Sequence, residues 1–282
     1  MKQTNSPKTY PSFIYKSYRY ILNSALENGY EFISFPMLKD YSQTGQLLCL
    51  LRHDCDNDLT AAARMARIEE EMGVRSTYFV MLRSPLYNLI SIPNTKLVRE
   101  IIQRGHWIGL HFDEFFYRDT VPEQITDYVE RERTALSYEF NVAVDVVSFH
   151  QPSKKILNNQ IKLNCINTYD LKHMGRVFYL SDSNMTWKKG CPSKVFMSKK
   201  FPRVQLLLHP EWWTEKEMAI RQKWNHMMRN NFELMQESLI QRENTYNLIQ
   251  GIRFYPNESA NVSKGNELRG DNYGNDRSQE SD

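Results

Sequence analysis

The densest run of reactive side chains in the sequence is Arg52-His53-Asp54-Cys55-Asp56-Asn57-Asp58, which closes the apolar stretch 47–51. Asp54 and Asp56 are two residues apart, so an extended strand puts both carboxylates on one face. One carboxylate holding a cation while its neighbour accepts a proton is a pairing suited to activating water. An acidic turn capping a helix that begins near Asp58 accounts for Asp58 alone. It does not account for an apolar strand that ends in a cluster of unlike charges.

Four further apolar runs end in the same way. Residues 106–113 carry His111 and Asp113 to one face at the carboxyl end, where both can reach a metal. His106 opens that run at the opposite end and is expected to be structural. Residues 144–150 end in His150, and residues 177–182 end in Asp182, an orienting carboxylate followed by Trp187, a candidate wall of the site. Residues 204–209 end in His209, followed by Trp212 and Trp213. A histidine at a strand end fits a general acid working near neutral pH. The tryptophans either stack on a sugar ring or roof the core. In parallel α/β folds the reactive groups collect at the carboxyl ends of the strands. Five such ends in one chain predict a site assembled from several strands.

The elements that must position these ends alternate between helix and strand. Apolar residues at helical spacing over 10–29 stop at Gly29. A second helix is expected over 58–72, with Asp58 as its N-cap and Gly73 ending it. Residues 75–82 read as strand, 94–104 as helix, and 122–140 as a charged amphipathic helix with Pro122 in its first turn. Residues 153–176 are ambiguous. One or two long helices are expected over 214–250, starting at Thr214 with Glu215 and Glu217 in the first turn. This βαβ order implies a mostly parallel sheet or barrel, and the polar strand ends favour a barrel. Three segments result: an N-terminal helical segment over 1–45, a barrel domain over 46–255 that includes the C-terminal helices, and a disordered tail over 256–282.

Composition bounds the function. The chain has 282 residues, 41% hydrophobic and 24% charged, with a formal charge of +3. The tail from Pro256 carries three basic residues against six acidic ones, leaving the body at +6. A mildly basic body suits an anionic substrate, and no Lys/Arg stripe marks nucleic-acid binding. The four cysteines, Cys49, Cys55, Cys165 and Cys191, form no CxxC pair, so reduced thiols in the cytosol are expected. Lys16 and Arg19 interrupt the apolar stretch 13–22, and no run approaches the ~20 residues of a membrane span. A soluble cytoplasmic protein is the expectation.

The five ordered motifs, over about residues 45–213, resemble the polysaccharide deacetylase superfamily of carbohydrate esterases (NodB-like), in a divergent branch met in lipopolysaccharide and surface-polysaccharide gene sets. Arg-His-Asp-Cys-Asp is similar to the family's first motif, which implies Asp54 as base and Asp56 as ligand. The second motif usually supplies two ligand histidines four residues apart. His111 matches the first, but position 115 is Phe115, so Asp113, Glu114 or His150 must complete the set. The third motif usually carries Arg-x-Pro. Here it is His150-Gln151-Pro152, leaving Arg52 or His150 to steady the base. Asp182 to Trp187 resembles the fourth motif and Leu208-His209 the fifth, with His209 as the acid. The resemblance implies an irregular (β/α) barrel with fewer than eight strands, added terminal helices and a divalent cation, with zinc expected. It further implies hydrolysis of an N-acetyl or other acyl group on a sugar that a nucleotide or lipid can carry, with Arg52, His150, Asp182, Trp187 and Trp212 at the substrate. Two rivals stand beside it. One is a deacetylase-like carbohydrate-binding protein without catalysis. The other is a glycosyltransferase using Asp54-Cys55-Asp56 as a DxD, which leaves His111 and His209 unexplained. An HD-type phosphohydrolase is excluded, because residues 1–52 contain no histidine.

Overall fold

The computed structural model describes residues 12–41, 45–118, 124–158, 160–170 and 177–248. The expected tail over 256–282 and the expected helix start at Pro122 lie outside them. Strand β1 spans Tyr30–Phe32, β2 Leu47–Cys55, β3 Thr77–Val80, β4 Trp107–Asp113, β5 Val146–His150, β6 Ile166–Asn167, β7 Phe178–Ser181 and β8 Arg203–Leu208. They form one sheet in the order β6-β5-β4-β3-β2-β8-β7, with β1 also on β2. Every pairing among the described residues is parallel. The sheet curls into a half-barrel whose edge strands β6 and β7 do not pair with each other among the described residues. Eight strands exceed the expected number. The surplus includes β1, with three residues, and β6, with two. Runs that short carry no readable alternation.

β2 is the centre, and it is buried along nearly its whole length. A strand covered on both faces reads as a continuous apolar run, which is why 47–51 shows no alternation. Its side chains still alternate. Cys49 and Leu51 point outward into a core shared with Tyr18, Ile21 and Leu22 of α1 (Tyr15–Glu27) and Phe196 of α6 (Pro192–Ser198). Leu48 and Leu50 point inward, onto Ile33, Phe35, Leu38, Phe79 and Val146, an apolar floor inside the half-barrel. Arg52 and Asp54 continue that inward row above the floor. The third core packs Tyr78, Val80, Ile108, Leu110 and Val147 against α2 (Leu59–Glu71), α3 (Ile92–Gln103) and α4 (Ile125–Phe140).

Local signals set most helix ends. The Asp58 carboxylate accepts the Ala61 N–H at 3.0 Å, as an N-cap does, and Gly73 follows the helix at φ +68°. Short α5 (Lys154–Leu157) starts after Ser153. The long helix α7 spans Ile220–Arg242 and does not begin at Thr214. Thr214 is instead drawn into a parallel bridge with Ile14, donating its N–H to the Phe13 carbonyl at 3.3 Å. A tertiary contact overrides the helix-start pattern there. The compact unit built this way ends at Arg242, and Glu243 begins a second unit containing helix α8, Asn244–Leu248.

Candidate active site

Strand register brings the reactive residues together. Asp54 pairs with Phe79 and Phe79 with Gly109, so two residues further along Asp56 stands level with His111. On the next strand His111 pairs with Ser148 and Asp113 with His150. On the other side His53 pairs with Leu208, which sets Asp54 level with His209. Gly109 is needed for this close fit. A Cβ there would meet the Phe79 ring at 2.5 Å, and the Arg52 guanidinium lies 5.5 Å from the centroid of that ring.

Asp56, His111 and His150 form a group whose ligand atoms all lie within 4.8 Å of one another. Asp56 Oδ1 is 2.8 Å from His111 Nε2 and 3.4 Å from His150 Nδ1. It nevertheless has no hydrogen-bond partner. Close atoms without an aligned N–H···O suit lone pairs converging on a cation, and one oxygen with two imidazole nitrogens is a donor set zinc accepts. Burial opposes the charge on Asp56, but His111 outweighs it and holds the carboxyl well below the usual range. Burial likewise opposes a charged His150, and the adjacent Asp56 carboxylate raises its pKa regardless.

Asp54 stands beside this group, with its Oδ2 3.9 Å from His111 Nδ1. Asp54 Oδ2 accepts from Arg52 Nη2 at 2.8 Å and from Ser148 Oγ at 3.2 Å, leaving Oδ1 buried and without a partner. Arg52 is fully buried, donates to the Tyr169 hydroxyl at 3.1 Å and lies 5.2 Å from that ring's centroid. Burial works against its charge, yet Asp54 more than compensates and its pKa is raised.

His209 is oriented by Asp182, which is 0% exposed. Asp182 accepts from the His209 N–H at 3.1 Å, from Trp213 Nε1 at 2.9 Å, and lies 2.6 Å from His209 Nδ1. Burial lowers the pKa of His209, but the Asp182 carboxylate overrides it and pushes it up to about 10. The imidazole is therefore protonated at neutral pH and holds a proton it can donate.

Two expected site residues lie elsewhere. Asp113 does not join the ligand group. Its carboxylate accepts the Phe115 N–H at 3.0 Å, capping the 3-10 turn Glu114–Tyr117. Trp187 does not line the cleft. It is 2% exposed and stacks on Phe13 at 5.8 Å beside Trp213, because the chain turns it into the outer core under α1. Trp212 is half-buried, with its ring 5.7 Å from Trp224 of α7. Phe115, standing where a second ligand histidine was expected, is 69% exposed. His106 is buried at the far end of β4, 3.1 Å from the Ala66 carbonyl oxygen through Nε2. Sequence reasoning also passed over Ser148, Tyr169 and Glu211. Glu211 is 4% exposed, accepts from Asn57 Nδ2 at 2.9 Å, and is pushed up to about 8 by burial and the nearby Asp56 charge. Only its place two residues after His209 in the chain could have drawn attention to it.

No protein-family model matches the chain, and no curated protein matches it. Solved structures similar to it include a family 4 carbohydrate esterase from Bacillus anthracis, at 14% identity over 84% of this chain and 93% of that one, with a TM-score of 0.38. The peptidoglycan deacetylase PdaC from Bacillus subtilis is similar at 12% identity over 73% of this chain and 97% of that one, with a TM-score of 0.41. The chitin deacetylase from the fungus Colletotrichum lindemuthianum is similar at 15% identity over 67% and 84%, with a TM-score of 0.39.

Proposed function

We propose that this protein is a metal-dependent carbohydrate deacetylase, a divergent member of the polysaccharide deacetylase superfamily, which removes an N-acetyl or other acyl group from a sugar intermediate of surface-polysaccharide biosynthesis. The observation that carries this reading is the convergence of Asp56, His111 and His150 from three strand ends beside Asp54. Asp56, His111 and His150 are the residues that would hold a divalent cation, and their donor set favours zinc. A cation bound there supplies Lewis acidity to a carbonyl oxygen and lowers the pKa of water.

The chain's own residues do the rest. Asp54 accepts the proton of the attacking water through its unpartnered Oδ1. Arg52 donates to Asp54 Oδ2 at 2.8 Å and fixes its direction, the part that an arginine in the third motif would otherwise play. His209, held protonated by Asp182, delivers a proton to the departing sugar nitrogen. The substrate in this reading is a nucleotide- or lipid-linked N-acetyl sugar met in the cytoplasm, consistent with the basic body of the chain. No helix among the described residues is long and apolar enough to cross a membrane.

The test is acetate release from a panel of nucleotide-linked N-acetyl sugars, with zinc and with chelator. Zinc-dependent release from at least one member is expected. Metal binding without release from any member would leave a carbohydrate-binding protein as the better reading.

A further inference from the structure

Helix α7 lies beyond the last strand of the sheet, yet its inward face reaches the segment that carries Asp56. The residues it turns inward are Lys223, Met227, Asn230 and Asn231, spaced at i, i+4, i+7 and i+8 along one helical face. Lys223 and Met227 are its buried residues. Lys223 Nζ donates to the carbonyls of Phe13, at 3.2 Å, and Trp212, at 2.5 Å, and to Thr214 Oγ1 at 3.0 Å. The two amides go to consecutive residues after Asp56. Asn231 Nδ2 donates to the Asn57 carbonyl at 2.7 Å, and Asn230 Nδ2 donates to Asp58 Oδ2 at 2.7 Å. From beneath, Glu211 Oε1 accepts from Asn57 Nδ2 at 2.9 Å, and Ser84 Oγ donates to the Asp56 carbonyl at 3.0 Å.

A helix docked only for stability gains more from Leu or Ile in such places, because burying apolar surface is the main favourable term. Two amides aimed at one loop instead contribute directed bonds of defined length, which fix where the loop sits. Resting on the reading of Asp56 as a cation ligand, we infer that Asn230 and Asn231 of α7, with Glu211, are positioning residues that clamp residues 56–58 so that Asp56 faces His111 and His150.

The test uses the full chain carrying Asn230→Ala and Asn231→Ala together, with Met227→Ala as a control that loosens α7 but removes no hydrogen bond to the loop. Two readouts are taken: hydrogen exchange of the amides over 55–61, and zinc affinity by titration calorimetry. Relative to wild type and to the control, the double variant should exchange faster over 55–61 and bind zinc about 10–100-fold more weakly, the usual cost of removing a residue that supports a metal ligand. Unchanged exchange in the double variant overturns the clamp, as does unchanged zinc affinity, or an equal effect from Met227→Ala. A wild-type chain that binds no zinc refutes the metal reading alone, and the exchange readout still decides the clamp.

Discussion

β2 carries two buried clusters of histidine and carboxylate on its opposite faces, and they differ in one respect. Outward, His53 Nε2 lies 2.6 Å from Glu69 Oε1, which also accepts from the Tyr18 hydroxyl and, at 3.1 Å, from the Tyr78 hydroxyl. The other Glu69 oxygen accepts from Ser76 Oγ at 2.5 Å and lies 3.4 Å from His106 Nδ1. Both oxygens of that carboxylate are used. Inward, Asp54 Oδ1, Asp56 Oδ1 and His111 Nδ1 are buried without hydrogen-bond partners. Outward, His53 Nδ1 is left without a partner, but the carboxylate at the centre of the cluster is fully used and holds elements together; inward, carboxylate oxygens left open at the mouth of a half-barrel are available for ligand and substrate. The outward cluster ties α1, α2 and the strands together; the inward one carries the chemistry we propose.

Substitutions on the two faces should separate these roles. The largest effect is expected inward: Asp54→Asn or His209→Ala should cut deacetylase turnover ~10²–10⁴-fold while the melting temperature stays near wild type. Turnover near wild type in His209→Ala would place the acid elsewhere. Outward, Glu69→Ala strands two histidines and should cost about 3–5 kcal/mol of stability in denaturant titrations. Burial raises the Glu69 pKa, but His53 outweighs it and the net shift is down. Its stabilisation is thus present above the ordinary value near 4.5 and is lost as pH falls through the lowered one, so Glu69→Gln should flatten the acid side of the stability curve.

A smaller effect is expected from Asp182→Asn. Protonated His209 is lost as pH rises through about 10. Without the Asp182 charge, the alkaline limb of the pH–rate profile should move down toward 6.5. An unmoved limb would mean that His209 is not the group titrating there. Smallest of all, Asp113→Asn should leave zinc affinity within about twofold and cost at most about 1 kcal/mol through the weakened cap.

Much of this layout was legible in the sequence, because strand ends are local features. The apolar runs ending at Asp54, His111, His150, Asp182 and His209 could be read directly, as could the Asp58 cap. What could not be read depends on register and long-range contact. His150 stood only as one of three candidates with Asp113 and Glu114, since its reach to Asp56 follows from the pairing of Asp113 with His150. Asp113 shared a face with His111, but nothing in the sequence showed that the chain turns immediately after it, which spends the carboxylate on Phe115 N–H. Trp187 and the start of α7 were misjudged for a related reason. The Phe13–Thr214 region folds back across about 200 residues to cover the outer core, and that closure has no local signature.

The central claim is that Asp56, His111 and His150 bind one cation together. X-ray absorption fine structure of the zinc-loaded protein, wild type against His150→Ala, tests it most directly. The wild type should show two imidazole nitrogens and at least one oxygen at about 2.0–2.2 Å, and His150→Ala should show one imidazole. Two imidazoles remaining in His150→Ala, or a wild-type zinc shell with none, would contradict the account.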